Sequence, residues 1–228
     1  MATDMCHVHN LLIRGLNSIY LQAPYVKTLS DIADLFFYTK ALIACIKAHH
    51  DGEEEHLFPG LVAYTGNSNI MSVNQEQHAA FHDGLKQLNE YCSSTPPAQH
   101  SYKKFLGIID SFAKPLYTHL SDEISTILAL KDIPDKDLKD LWAKAERHIN
   151  DVGSFDEMFP LAFGCVDKGF EAGQHKFPPA PGFMSFVVKY WFARKHKSVW
   201  RFNPCDMWGT PRSLHFLPQE IAQNIDSP

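Results

Sequence analysis

Apolar residues recur at the three-to-four-residue spacing of amphipathic helices in five segments of the first 150 residues. The first segment stops at Pro24, and the second runs from Ser30, a favourable N-cap residue, to Pro59. Pro115 lies inside the fourth segment and should bend it locally. We predict a loop at residues 60–72. The predicted helices cover approximately residues 6–22, 30–59, 74–92, 101–130 and 135–150.

The sequence changes in character after residue 150, where prolines, glycines and aromatic residues become frequent. We predict one further helix there, from about Phe183 to His196, within otherwise irregular chain. No internal repeat, heptad array or low-complexity tract is present. The pattern therefore predicts an all-α protein with a helical and irregular C-terminal extension.

The composition limits the classes of function. The chain has 228 residues, 45% of them hydrophobic, which suffices for one sizeable core with an extension. The net charge of -5 provides no positive field for a phosphate backbone, so we expect no nucleic-acid partner. The longest apolar stretches are shorter than the ~20 residues of a membrane span, and each contains a lysine. We therefore expect no membrane partner either.

The N-terminus and the cysteines favour a reducing compartment. The N-terminal segment lacks the basic region and apolar core of a secretory signal, so the expected location is cytoplasmic. The five cysteines are an odd number, widely spaced and without a CxxC pair. This argues against a disulfide framework and against a zinc-thiolate site.

Thirteen histidines are an unusually large number for this length, and several of them occupy ligand spacings. Three predicted helices each carry two metal-binding side chains four positions apart, which places both on one helical face. A single pair of this kind is weak evidence, since most such pairs are exposed to solvent. The three pairs are His49 with Glu53, His78 with His82, and His119 with Glu123.

In a bundle whose helices run up, down, up and down, the three pairs are also expected to lie at the same position along the bundle axis. His9 and His78 lie near the starts of the first and third predicted helices. His49 and His119 lie in the final thirds of the second and fourth, so all four positions meet at one level. Imidazoles combined with carboxylates, without thiolates, are a ligand set for iron or manganese.

Four short motifs contain these residues, and together they are specific: His9-Asn10, His49-His50-x-x-Glu53-Glu54-x-x-Leu57-Phe58-Pro59, Glu76-x-His78-x-x-x-His82 and His119-x-x-x-Glu123. The motifs resemble those of hemerythrin-like (HHE cation-binding) domains over roughly residues 5–132. The tail is similar to extensions on fungal members of that family. The resemblance implies an up-down-up-down four-helix bundle at residues 1–132 and a C-terminal extension, residues 133–228, packed on it. It also implies two non-haem irons with an oxo or hydroxo bridge.

The family pattern, carried over to this sequence, assigns each residue a role. The implied ligands of one iron are His78, His82 and His119, those of the other are His9 and His49, and the bridging carboxylates are Glu53 and Glu123. The second iron then keeps an open position for dioxygen or peroxide, and manganese is the alternative metal. Oxygen carriers of the family use an aspartate directly after the position of Glu123, where this chain has Ile124, so the resemblance does not imply reversible oxygen carriage.

The second helix offers two registers for its ligands. His50 and Glu54 have the same spacing as His49 and Glu53 but are rotated by ~100° around the helix, so we expect only one pair to face inward. His49 is preferred because it lies ten residues before Pro59, which is the family's spacing. His50 and Glu54 are then expected at the surface or beside the ligands.

The first helix likewise contains two histidines, His7 and His9, and the Asn10 that follows favours His9 by resemblance. Other histidines have no partner at ligand spacing, and we expect surface or capping roles for them. These are His100, His148, His175, His196 and His215.

Two functions remain open from the sequence. The first is a di-iron oxidase or oxygenase that acts on a small organic substrate and takes electrons from a donor. The second is a non-catalytic protein that binds or senses oxygen, nitric oxide or iron. The aromatic-rich extension favours the enzyme slightly, because it could wall a substrate pocket that a simple carrier does not need.

Overall fold

The computed structural model of the chain describes residues 1–152 and 154–225. Helices dominate these ranges, and the β-type pairing found there is an isolated bridge between Cys205 and Pro211. The predicted all-α class is confirmed. The longer helices are α1 (Ala2–Gln22), α2 (Leu29–Gly52), α3 (Phe58–Thr65), α4 (Ser72–Ser94), α5 (Tyr102–Leu128), α6 (Asp135–Val152), α7 (Phe155–Cys165), α8 (Met184–Tyr190) and α9 (Gln219–Ile225).

Four of these helices, α1, α2, α4 and α5, form the predicted up-down-up-down bundle. The N-cap of α2 is Thr28 rather than the predicted Ser30, because the Thr28 hydroxyl accepts a hydrogen bond from the Asp31 backbone N–H at 3.1 Å. Ser101 caps α5 in the same way, and that helix continues through Pro115. Within the described residues, no helix combines the length and the apolarity that a bilayer span requires.

The second helical rod does not stop at Pro59. A π-turn at Glu53–Leu57 joins α2 to α3, so the rod continues to Thr65 and the prediction of a loop from residue 60 is wrong over its first half. Pro59 is tolerated because it lies in the first turn of α3, where it removes little backbone hydrogen bonding. The rod ends at Gly66, whose φ of 69° is the left-handed conformation of many helix C-termini.

The extension contains more helix than the sequence predicted. Helix α7 was missed because Pro160 lies inside it and the surrounding residues are rich in proline and glycine. Its buried residues nevertheless include Leu161 and Cys165, which lie one helical turn apart. The helix predicted near residues 183–196 is shorter, since α8 ends at Tyr190 and a 3₁₀ turn follows at Phe192–Arg194.

Two apolar clusters make up the core. The larger cluster joins the bundle to the extension, since Leu16 and Leu42 share it with Leu161, Trp200 and Phe202. The smaller cluster closes the other end of the bundle and unites residues of α1, α3 and α5 with those of α6: Met5, Leu57, Phe58, Leu61, Met71, Ile127, Ile133, Leu138, Trp142 and Ala145. Buried histidines and glutamates occupy the helices between the two clusters.

Polar contacts also tie the extension to the bundle. The Arg14 side chain on α1 donates from Nε to the Cys165 carbonyl at 3.0 Å and from Nη2 to the Cys205 sulfur at 3.0 Å. Arg201 forms ion pairs with Asp31 at 2.7 Å and Asp34 at 2.9 Å, both at the start of α2. The extension is therefore fastened to α1 and α2 by hydrogen bonds and ion pairs as well as by apolar packing.

Candidate metal centre

Seven ionisable side chains lie buried at one level of the bundle, and we call them the polar layer. Helices α1, α4 and α5 contribute to it, together with the junction of α2 and the π-turn. Each member is at most 6% exposed, which is unusual for charged residues unless they are paired or bind metal. The members are His9, His49, His50, Glu53, His78, His119 and Glu123.

The polar layer divides into two groups, each with ligand atoms that lie within 4.8 Å of one another. The first group contains His9, His49, Glu53 and Glu123. In it, His49 Nε2 lies 3.1 Å from His9 Nε2 and 3.1 Å from Glu53 Oε1. His9 Nε2 also lies 3.3 Å from Glu123 Oε2. Two imidazoles and two carboxylates thus lie close enough together to bind a single metal ion.

The second group contains His50, His78 and His119 together with Glu53. His78 Nε2 lies 3.0 Å from His119 Nε2 and 3.6 Å from Glu53 Oε2. The His50 ring centroid lies 4.6 Å from that of His78 and 5.0 Å from that of His119. Glu53 therefore belongs to both groups, with one oxygen near each.

Three of the imidazoles are oriented by hydrogen bonds from their outward nitrogens. His9 Nδ1 donates to the Leu120 carbonyl at 2.7 Å, and His50 Nδ1 donates to the Ile46 carbonyl at 2.8 Å. His78 Nδ1 donates to the Glu54 carboxylate at 2.7 Å. Each of these bonds places the proton on Nδ1, so the lone pair of Nε2 points into the polar layer. This arrangement is typical of histidines that bind metals.

Five inward atoms of the layer lack hydrogen-bond partners among the described residues. Both carboxylate oxygens of Glu53 and both of Glu123 are buried in this state, and so is His50 Nε2. Burial of unpaired carboxylates is costly, and a cation is the partner that would satisfy four oxygens and several imidazole lone pairs at once. The residues present therefore fit a metal-binding site.

The electrostatics of the layer point the same way. Burial, reinforced by the neighbouring histidines His78 and His9, lowers the pKa of His119 to about 2. Burial likewise holds the pKa values of His49 and His50 well below the usual range. Burial, followed by the nearby Glu123 carboxylate, raises the pKa of Glu53 well above its usual range. His49, His50 and His119 are thus neutral, as metal ligands must be, and Glu53 needs a positive charge beside it to stay ionised.

Two openings reach the polar layer from different sides. An aromatic cavity of about 460 Å³ reaches His49, and its walls include Val8 of α1, Trp142 and Glu146 of α6, and Phe155, Phe159, Phe163 and Phe177 of the extension. A polar groove of about 580 Å³ runs between α2 and α4 and reaches His50 and His78. Lys47, Asp51, Glu54, His82 and Lys86 line this polar groove.

Comparison with known proteins agrees with this geometry. A family model described as the Hemerythrin HHE cation binding domain matches residues 3–131, which include the whole polar layer. The chain belongs to the hemerythrin HHE cation-binding family. It is also 68% identical over 223 residues to the "Dimeric xanthone biosynthesis cluster protein R11" of Cryptosporiopsis sp. (strain 8999), covering 98% of this chain and 85% of that relative. No solved structure matches significantly.

One implied ligand of this HHE domain, His82, lies outside the polar layer. Its side chain is 68% exposed, and its Nδ1 lies 3.6 Å from Asp83 rather than near either group. The reason is the period of α4, whose buried positions include Asn74, His78, Phe81, Leu85 and Leu88. That stripe steps alternately by four and by three, so the residue four positions after His78 falls on the solvent side.

The expectation that only one of the adjacent histidines faces inward is also wrong. His49 and His50 are both buried, because the layer is wide enough for two groups and each histidine faces a different one. His50 thereby takes the place that the sequence assigned to His82. Glu54 remains half-exposed and supports the layer through its bond to His78. The adjacent His-His pair was the signal that could have revealed this arrangement.

His9 rather than His7 lies in the layer, as the sequence favoured. His7 is buried as well, but it packs against the extension, where its ring stacks on Phe177 at 5.1 Å between centroids and meets the edge of His175 at 4.9 Å. The two histidines lie on different faces of α1, since residues two apart are separated by ~200° around a helix.

Single substitutions on α2 and α4 test the corrected register. We expect His50→Ala to lose at least half of the bound metal, because it removes one imidazole from a buried group. His82→Ala should retain all of it, because the side chain is exposed. Metal analysis of both variants beside the unaltered protein is the measurement. Metal loss in His82→Ala with full retention in His50→Ala would show that the described register is wrong.

Proposed function

We propose that this HHE protein holds two iron ions in the polar layer and uses them to activate dioxygen, or peroxide, for the oxidation of a small organic substrate. The observation that carries the proposal is the aromatic cavity, which ends at His49, a member of the first group. Two groups of imidazole and carboxylate ligands without thiolate suit iron, with manganese as the alternative.

The two groups divide the ligands between the metals. His9, His49 and Glu123 would hold one ion, and Glu53 would contact both. The remaining imidazoles, those of His50, His78 and His119, would hold the other. When bound, the pair of irons supplies the redox equivalents for reactions of dioxygen. The glutamates provide negative charge that offsets part of the charge on the metals.

The chain itself controls the surroundings of the metals. The polar layer lies between two apolar clusters, which exclude water from its two ends along the bundle axis. The Nδ1 hydrogen bonds of His9, His50 and His78 fix the orientation of three rings. The Glu54 carboxylate, as acceptor for His78, makes that imidazole a stronger donor to a cation. These features hold the ligand side chains in fixed positions, as a metal site requires.

The aromatic cavity favours an enzyme over a simple oxygen carrier. Its volume of about 460 Å³ is far larger than a diatomic gas needs and falls within the range of sites for small organic molecules. Most of its wall comes from α6, α7 and the segment around Phe177, which lie beyond the family match at residue 131. The similar protein is named for a biosynthesis cluster, which agrees with an organic substrate for this chain.

The test is metal analysis followed by oxygen kinetics. Purified protein should contain iron for both groups of ligands. After anaerobic reduction and rapid mixing with oxygenated buffer, it should consume oxygen and change its absorption spectrum irreversibly. Protein reconstituted with zinc is the control, since it should fold equally well and consume no oxygen.

Two results would contradict the proposal. Zinc at full occupancy with failure to incorporate iron would remove the basis for redox chemistry. Complete return of the reduced spectrum when argon replaces oxygen would instead identify a reversible binding protein.

A further inference from the structure

We infer that the aromatic cavity binds a flat aromatic molecule and that Glu146 positions it by accepting a hydrogen bond from a phenolic hydroxyl. The inference rests on the proposed function, because it names the substrate class of that same site.

The walls of the cavity suit a planar ring system. Phe155, Phe159 and Phe163 follow one another along α7, with ring centroids 5.5 Å apart for the first two and 6.3 Å for the second two. Phe177 and the prolines after it face the same space. Aromatic side chains contact flat rings through both faces and edges, while prolines lose little conformational entropy on binding. A volume of about 460 Å³ accommodates a fused-ring molecule.

Glu146 is the one carboxyl group among the described residues that line the cavity. It lies one helical turn after Trp142 and accepts a hydrogen bond from the indole of that residue. A carboxylate can accept several hydrogen bonds, so one indole donor leaves most of its capacity unused. A ligand that enters this apolar space must present a donor to Glu146, or the partly buried carboxyl group loses its water without compensation.

A phenolic hydroxyl is the donor that satisfies both requirements, since it belongs to an aromatic ring and carries no charge of its own. Burial raises the pKa of Glu146, which makes its carboxylate a stronger acceptor and brings its affinity for protons closer to that of a phenol. A ring bound between Glu146 and His49 lies against a member of the first metal group. The positioning residue therefore directs the electron-rich ring of a phenol toward the metal centre.

Equilibrium binding of two probes tests the inference. The iron-loaded protein is titrated calorimetrically with 2-naphthol and with 2-methoxynaphthalene, which has the same ring system but lacks the hydroxyl donor. We expect 2-naphthol to bind about tenfold more tightly, as one hydrogen bond to a carboxylate predicts. In Glu146→Leu the two probes should bind with nearly equal affinity. Asp140→Asn, on the exposed side of the same helix, is the matched control and should keep the tenfold ratio.

Two further variants test the location of binding. Ala162→Trp, which fills the cavity from α7, should weaken both probes at least tenfold. Phe155 is 60% exposed, so Phe155→Ala should fold normally and still weaken both probes several-fold by removing part of the wall. Equal affinities of the two probes for the unaltered protein would overturn the inference. An unchanged ratio in Glu146→Leu, or probe binding unaffected by both wall variants, would overturn it as well.

These titrations are run in the absence of oxygen, so they do not depend on oxygen chemistry. Selective binding of 2-naphthol by a protein that fails to consume oxygen would support the inference and contradict the proposed function. Oxygen consumption without selective binding would do the opposite.

Discussion

We expect a Glu53→Ala variant to lose nearly all metal from both groups of the polar layer, whereas loss of one histidine should mainly affect one group. Glu53 is the residue that the two groups share, and each of its oxygens lies near a different one. Its removal takes away a negative charge that would contact both cations and opens a gap in a fully buried layer. Metal content measured by mass spectrometry, with thermal unfolding before and after chelation, records the loss.

The neighbouring residue provides a graded control for this experiment. Glu54→Gln keeps an acceptor for His78 Nδ1 but removes the charge, so metal affinity should fall by about 10–100-fold while both groups still fill at saturating metal. A Glu53→Ala protein that retains metal in both groups would contradict the central role of Glu53. It would leave Glu123 as the carboxylate that matters.

Ending the chain after Asn150 should prevent folding rather than release an independent bundle. The shortened chain lacks Leu161, Phe163, Trp200 and Phe202, all of which pack in the larger apolar cluster. Each such side chain contributes about 1.5–3 kcal/mol, so the four together equal the 5–15 kcal/mol by which a typical domain is stable. Circular dichroism and the yield of soluble protein are the measurements.

A second truncation controls for the loss of length alone. A chain that ends after Pro218 lacks α9 but keeps both apolar clusters, so its midpoint of thermal unfolding should change by only a few degrees. If residues 1–150 instead fold and bind metal, the bundle is an independent unit, as the proposed division at residue 132 predicts.

The bundle could be predicted from the sequence because its signals are periodic and local. Apolar spacing located the four long helices, and proline or N-cap residues placed most of their ends within a few positions. The π-turn after Gly52 has no comparable signal, since neither a side-chain cap nor a break in the helical apolar spacing marks it. Helix α7 was missed for the opposite reason, because the frequent prolines and glycines after residue 150 were given more weight than the local apolar spacing.

The sequence predicted the height of the polar layer along the bundle axis, but it did not predict all of the residues in the layer. Six of the seven residues proposed from the sequence lie together, and their role as ligands remains a prediction. His82 failed because ligand spacing was applied without the period of the apolar stripe, which passes through His78 and Phe81. His50 was missed because one helix was expected to present one ligand face. The aromatic extension was expected to wall a pocket, but Glu146 could not be placed, since its position depends on how the extension packs on the bundle.

The π-turn has a geometric consequence for the second rod. Such a turn contains one residue more than an α-helical turn, so the helix beyond it is rotated by ~100° relative to an uninterrupted helix. The inward faces of α2 and α3 therefore point in different directions around the common axis. The face of α2 keeps His49 and His50 in the polar layer, and the face of α3 directs Phe58 and Leu61 into the smaller cluster. Inserting or deleting one residue at this junction would rotate α3 by ~100° about the axis of the rod. His49 and His50, which precede the junction, would keep their orientation toward the polar layer.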